Sequence, residues 1–164
     1  MIFFESILNL PDVIKENNIK TVYLPVRRLL SDIRYKGVET IRVLDLAPSA
    51  DLLYRTKMGL IDFKTYTDIY LYEICSRPHV KTILNEIVAR SENQNIAVVC
   101  YCTNEKECHR SILAGILDGL GAKTVTDFSI ENYKPFYDSF LKTCKLWEDK
   151  EMENDKCTNL DPTR

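Results

Sequence analysis

The sequence predicts a three-layer α/β sandwich, with a mostly parallel sheet of about five strands and helices on both faces. Three observations lead there. Short β-branched and aromatic runs alternate with stretches whose apolar residues recur every three to four positions, the order of βα repeats. Runs such as 19–26 and 96–101 are apolar on consecutive residues, as in strands covered from both sides. The run 96–101 then crosses a short polar loop directly into an amphipathic helix, the connection at which open parallel sheets place their chemistry.

Taken in order, Ile2 to Phe4 reads as a strand, and Leu10-Pro11 opens a helix because proline's missing N–H is harmless in a first turn. Asn17-Asn18 ends that helix. Ile19 to Val26 is a buried strand running into Arg27-Arg28, so the chain starts as a βαβ unit with parallel pairing. A polar stretch, Ser31 to Thr40, turns at Gly37 before a third strand at Ile41 to Leu44. Ala50 to Met58 is helical in composition and broken at Gly59. Phe63, Tyr66, Ile69, Tyr70 and Ile74 mark one face of a helix over Asp62 to Ile74. Pro78 separates it from another helix, His79 to Arg90, with Ile83, Ile87 and Val88 inward. After the strand 96–101, a helix from about Cys108 carries Ile112, Leu113, Ile116, Leu117 and Leu120, and Gly121 stops it. Lys123 to Phe128 gives a last strand, and Asn132 to Trp147 a last helix.

At 164 residues, with 45% hydrophobic and 28% charged side chains, the chain reads as one soluble domain over 1–147. The polar tail 148–164 is expected to be disordered. A net charge of -2, from 22 basic and 24 acidic residues, argues against bulk-charge binding to duplex DNA. No apolar run approaches the roughly twenty residues of a membrane helix. The opening Met-Ile-Phe-Phe-Glu-Ser lacks the pattern of a signal peptide. The six cysteines therefore read as reduced thiols that bind metal, react or fill core, in a cytoplasmic protein.

Four spaced motifs carry a resemblance. Pro25-Val26-Arg27-Arg28 closes the opening βαβ unit; Leu46-Ala47-Pro48-Ser49 follows the third strand; Lys57-Met58-Gly59 precedes Tyr66 and Tyr70; and Val99-Cys100-Tyr101-Cys102 leads to Cys108-His109-Arg110-Ser111. Over roughly residues 1 to 128 the chain resembles domain-of-unknown-function family 488, the YeaO-like group. The resemblance implies an α/β fold and a shared site without fixing a reaction. Pro25 stands where the family carries an acidic residue, so no role of that carboxylate transfers.

The chemistry concentrates between Cys100 and Ser111. Cys100 and Cys102 share a strand face, with Cys102 at its carboxyl end; the helical stripe points His109 at the sheet, and Arg110 flanks the stripe. The reading adopted is a pocket for a small anionic, nucleotide-like ligand. Arg110, Ser111 and helix N–H groups bind it, with Arg27 arriving from a neighbouring strand. Cys102, Cys108 and His109 are the candidate catalytic groups, a thiol there being activated by the helix terminus and arginine; whether the pocket is catalytic stays open.

No resident cofactor is assigned. Zinc is the alternative that Cys100, Cys102, Cys108 and His109 allow, with Cys75 and His79 as two further donors, although neighbouring Cys108 and His109 should diverge on a helix. The competing class is a non-enzymatic adaptor for nucleic acid or protein, using Arg27, Arg28, Arg34 and Lys36 with Tyr23, Tyr35, Tyr54 and Tyr72. Cys144 and Cys157 read as incidental, and nothing fixes the oligomeric state.

Overall fold

The computed structural model describes residues 1–28, 33–104, 106–126 and 128–158, without the side chains of 150–158. Expectations touching Ser31, Asp32, Glu105, Asp127, the Cys157 side chain and residues 159–164 lie outside the described residues. The elements are β1 (Ile2–Ser6), α1 (Leu10–Asn17), β2 (Thr21–Leu24), β3 (Glu39–Arg42), α2 (Ala50–Lys57), α3 (Phe63–Cys75), α4 (Val80–Asn93), β4 (Ile96–Cys100), α5 (His109–Gly119), β5 (Thr124–Thr126) and α6 (Pro135–Thr158). Short 3-10 turns occupy Leu44–Leu46 and Ile130–Asn132.

All strands run parallel in one sheet of order β3-β2-β4-β1-β5. Every residue of β4 is buried, so the most uniformly apolar run takes the middle, where both neighbours and both faces cover it. β3, half exposed, takes an edge. The first two strands are parallel, but they do not pair as the sequence implies: β4 inserts between them, with Ile96 in register with both Ile2 and Thr21. Burial explains the order, since β4 loses the most apolar surface to water by sitting centrally.

The strand alternation divides the core in two. Ile2, Phe4, Tyr23, Ile96 and Val98 face a large cluster built with α3, α4, α5 and α6. Phe3, Val22, Leu24, Ala97 and Val99 face a smaller one closed by Leu10 of α1 and by Val26. Gly121, at φ 95, turns the chain out of α5 in the left-handed region that glycine alone adopts cheaply. The last helix runs on to Thr158, past Trp147, whose ring meets Tyr72 edge-on at 5.2 Å. Among the described residues no helix is long and apolar enough to cross a membrane.

Two glycines of α5 permit its close approach to the 130–137 segment. A Cβ on Gly115 would strike the Tyr133 carbonyl oxygen and lie 2.8 Å from its carbon, and one on Gly119 would enter the Tyr137 ring. Backbone cannot step aside as a side-chain tip can. Gly115→Ala should therefore destabilise the protein by about 2–3 kcal/mol, the cost of an overpacked core. A thermal melt within 1 °C of wild type would show that this contact yields.

The cysteines correct the sequence reading in one respect. Cys75 and Cys144 form a disulfide joining α3 to α6, so Cys144 is not incidental and the thiols are not all reduced. The two Cα atoms lie 4.9 Å apart because α3 and α6 pack side by side, a proximity that 69 residues of separation hide from the sequence. The bond also withdraws Cys75 from the metal-ligand pair proposed with His79.

Candidate functional site

The site begins where β4 ends. Cys100 is its last residue, Cys102 lies two further on, and the loop returns to start α5 at His109. Cys108 is not yet helical. It is the N-cap of α5, in extended conformation at φ -138 and ψ 147, and its Sγ accepts the Arg110 N–H at 3.4 Å. That geometry explains why Cys108 and His109 converge rather than diverge: the helical angle between neighbours applies only from His109 onward. The Cys108 Sγ lies 3.2 Å from the Cys100 Sγ and 3.7 Å from His109 Nδ1.

Cys100, Cys102, Cys108 and His109 thus bring three sulfurs and one imidazole nitrogen within 4.8 Å of one another, a group that can hold a metal ion. His109 is oriented from behind. Its Nε2 lies 3.0 Å from the Pro25 carbonyl oxygen, which accepts, so Nε2 carries the proton and Nδ1 faces the sulfurs with its lone pair in the neutral ring. The Tyr70 ring meets the imidazole edge-on at 5.9 Å. Pro25 therefore contributes through its backbone.

The thiols cannot share charge evenly. Cys102 is held far below the usual thiol range, because Cys100 and Cys108 donate S–H groups to its sulfur. Cys100 is pushed up to about 12, first by that donation to Cys102 and then by burial. Cys108 is raised too, by donation to Cys100 and Cys102 and by burial. In the metal-free protein these shifts favour Cys102 as the sulfur that ionises first. Alkylation of Cys102 by iodoacetamide should then stay nearly flat from pH 8 down to pH 5, because a depressed pKa leaves thiolate in place. A free thiol, with a pKa of about 8.5, slows about tenfold per pH unit. A normal acid fall-off at Cys102 would contradict this charge distribution.

A cavity of about 220 Å³ opens beside the cluster, walled by Pro25, Val26, Pro48, Leu53 and Tyr101 and bordered by Arg27 and Arg28. Arg27, Cys102 and His109 meet on one rim, but Arg110, which the sequence places on the same rim through the Cys102-to-Arg110 turn, does not line the cavity. The Arg27 Nε donates to the Pro48 carbonyl at 2.6 Å, which keeps its guanidinium on the cavity wall. Arg110 is placed differently, 2% exposed and with its charge acting on Cys100 from within the core. Ser111 is fully buried, its hydroxyl donating to the Cys108 carbonyl at 2.7 Å and its N–H to the same oxygen at 3.1 Å. The Arg110 and Ser111 N–H groups, offered to an anion by the sequence reading, are thus occupied by Cys108.

The Leu46–Ser49 segment is pinned by α3 and by Arg77 just beyond its end. The Arg77 Nη1 donates to the Asp45 and Ala47 carbonyls at 2.6 and 2.7 Å, and its Nη2 meets Glu73 at 3.3 Å. The same Glu73 oxygen accepts the Ser49 N–H at 2.8 Å, and the Tyr70 hydroxyl donates to the Leu46 carbonyl at 2.7 Å. Burial raises the Tyr70 hydroxyl pKa well above its ordinary value, so it stays a donor. Periodicity places Tyr66 and Tyr70 on one helix face and gives Glu73 and Arg77 no role. Their i,i+4 spacing was a legible signal, but the carbonyls that they hold were not. Tyr70→Phe should destabilise by about 1–2 kcal/mol, since it strands a buried carbonyl; an unchanged melting temperature would show that water replaces the hydroxyl. Of the tyrosines offered for base stacking, Tyr23 is buried, while Tyr54 and Tyr72 are exposed.

Fold and site together define a class: a parallel α/β domain with a Cys3His cluster at the carboxyl end of its central strand, closed by the N-cap of the following helix. The chain belongs to the DUF488 family. The model of DUF488-N3a, described as an active DUF488-N3 subclade, matches residues 11–121, more than half of the chain and all of the cluster. No curated protein and no solved structure matches it.

Proposed function

We propose that this protein binds a zinc-type divalent ion through Cys100, Cys102, Cys108 and His109, and that the ion and Cys102 act on a small ligand in the adjoining cavity. One observation carries the reading: four soft donors converge within 4.8 Å while the far nitrogen of the histidine is engaged by a carbonyl. Three thiolates and an imidazole make a tetrahedral zinc set, and metal-bound histidines characteristically give their other N–H to a carbonyl or carboxylate. Pro25 fills that outer role. The charge argument agrees: three sulfurs this close cannot all ionise alone, but a divalent ion offsets them.

The ligand has an apolar body and an anionic end. The cavity walls are carbon, with Arg27 and Arg28 at the border, and guanidinium forks suit carboxylate or phosphate. About 220 Å³ admits a small ring or alkyl group but not a whole nucleotide, since pockets for drug-sized ligands measure about 300–1,000 Å³. The description of the subclade as active supports a working site.

The test is metal analysis of protein purified without added metal. Near-stoichiometric zinc, with a melting temperature that falls on chelation, is the expected result. A chain that neither carries zinc nor gains stability when zinc is added would overturn the reading. In that event a second reading takes over, in which Cys102 is a plain nucleophile, favoured because it is the least buried sulfur of the cluster.

A further inference from the structure

We propose that Cys102 is an alkyl acceptor, taking a small alkyl group from an ester whose leaving group is a phosphate-type anion. The proposal rests on the metal reading in one respect: the ion would hold Cys102 in the donor set beside the cavity and offset the charge of the neighbouring sulfurs.

Access selects the sulfur. Cys100 and Cys102 both line the cavity, but Cys100, like Cys108, is only 1% exposed, whereas Cys102 is only partly buried. The surroundings select the reaction. Acyl or phosphoryl transfer would place developing charge on an oxygen beside the sulfur and would need donors aimed at it. The helix N–H groups of Arg110 and Ser111 do not serve, because the Cys108 sulfur and carbonyl occupy them. The walls around Cys102 are instead Pro25, Val26, Pro48 and Leu53. A soft thiolate in such a cavity is matched to a saturated carbon, where no oxyanion forms next to the nucleophile. Negative charge develops only on the departing ester oxygen, and Arg27, fixed to the Pro48 carbonyl, stands with Arg28 on the wall to receive it.

The step balances without an oxidant or a proton donor. A lone pair of the Cys102 sulfur forms the new S–C bond, the C–O bond breaks, and its electron pair leaves with the phosphate diester. Cys102 becomes a neutral thioether, so the centre loses one negative charge. The protein acts once per chain.

Trimethyl phosphate is the probe, offered to protein whose zinc content is measured in the same sample. The expected result is one methyl group on Cys102 by peptide mapping, with an equal amount of dimethyl phosphate. It should form at least about 100-fold faster than on a free small-molecule thiol, a gain of the size that positioning a nucleophile gives. Arg27→Ala, which touches none of the four donors, should slow methylation about tenfold at unchanged zinc content, by loss of a charge-assisted contact to the leaving group. Zinc-loaded protein that leaves Cys102 unmethylated, or that reacts no faster than the free thiol, overturns the alkyl-acceptor assignment alone. Protein that takes up no zinc overturns the metal reading beneath it.

Discussion

Replacing Cys108 by serine should abolish zinc binding while leaving the fold of the metal-free protein close to wild type. The two roles of this residue separate on chemical grounds. As N-cap of α5 it needs only an acceptor near the Arg110 N–H, now 3.4 Å from its sulfur, and serine is a preferred N-cap. As a metal donor it needs a soft thiolate, which a hydroxyl does not supply. Loss of one donor of four should weaken zinc by more than about 100-fold, the upper cost of removing even an outer partner. The metal-free serine variant should melt within about 1 kcal/mol of the metal-free wild type, the usual span of a cap effect. Cys108→Ala should lose both zinc and stability. Titration with zinc under competition from a chelator reads the affinity, and calorimetry of the stripped proteins reads the fold. A serine variant with wild-type zinc affinity would remove Cys108 from the donor set.

The Cys75–Cys144 bond carries the second large effect. It closes a loop of 69 residues, and cross-linking so long a loop restricts the unfolded chain by about 4 kcal/mol at room temperature. In a protein of this size that corresponds to a fall of about 8–16 °C in melting temperature when the bond is lost. Cys144→Ser is the better probe than a reductant, since a thiol reagent would also compete for ions at the Cys3His cluster. Cys144 is buried in the interface where α6 packs on α3, and serine there keeps the volume nearly constant. The double variant Cys75→Ser/Cys144→Ser should melt with the single one, because either change removes the whole bond. A single variant as stable as wild type would mean that packing of α6 on α3 holds the pair together without the covalent link.

The sequence by itself determined the elements and the chemistry-bearing segment. Each helix and strand read from periodicity is present, with boundaries shifted by a few residues and a longer final helix, because apolar spacing reports which face is buried whatever lies against it. The family was legible because the stretches that carry the resemblance are local: Leu46–Ser49, Tyr66 with Tyr70, and Cys100 to Arg110 each lie within a single turn or connection. Tertiary structure alone decided what meets across the chain. The insertion of β4 between the first two strands brought the Pro25 carbonyl to His109, 84 residues away, and so fixed which imidazole nitrogen faces the sulfurs. The extended backbone of Cys108 turned two neighbours that a helical wheel separates into adjacent donors. Packing of α3 against α6 made a disulfide of two cysteines that spacing alone left unpaired. Local pattern encodes burial, but partners across a sheet or a helix interface are chosen by the sum of all contacts, and no single stretch of sequence contains that sum.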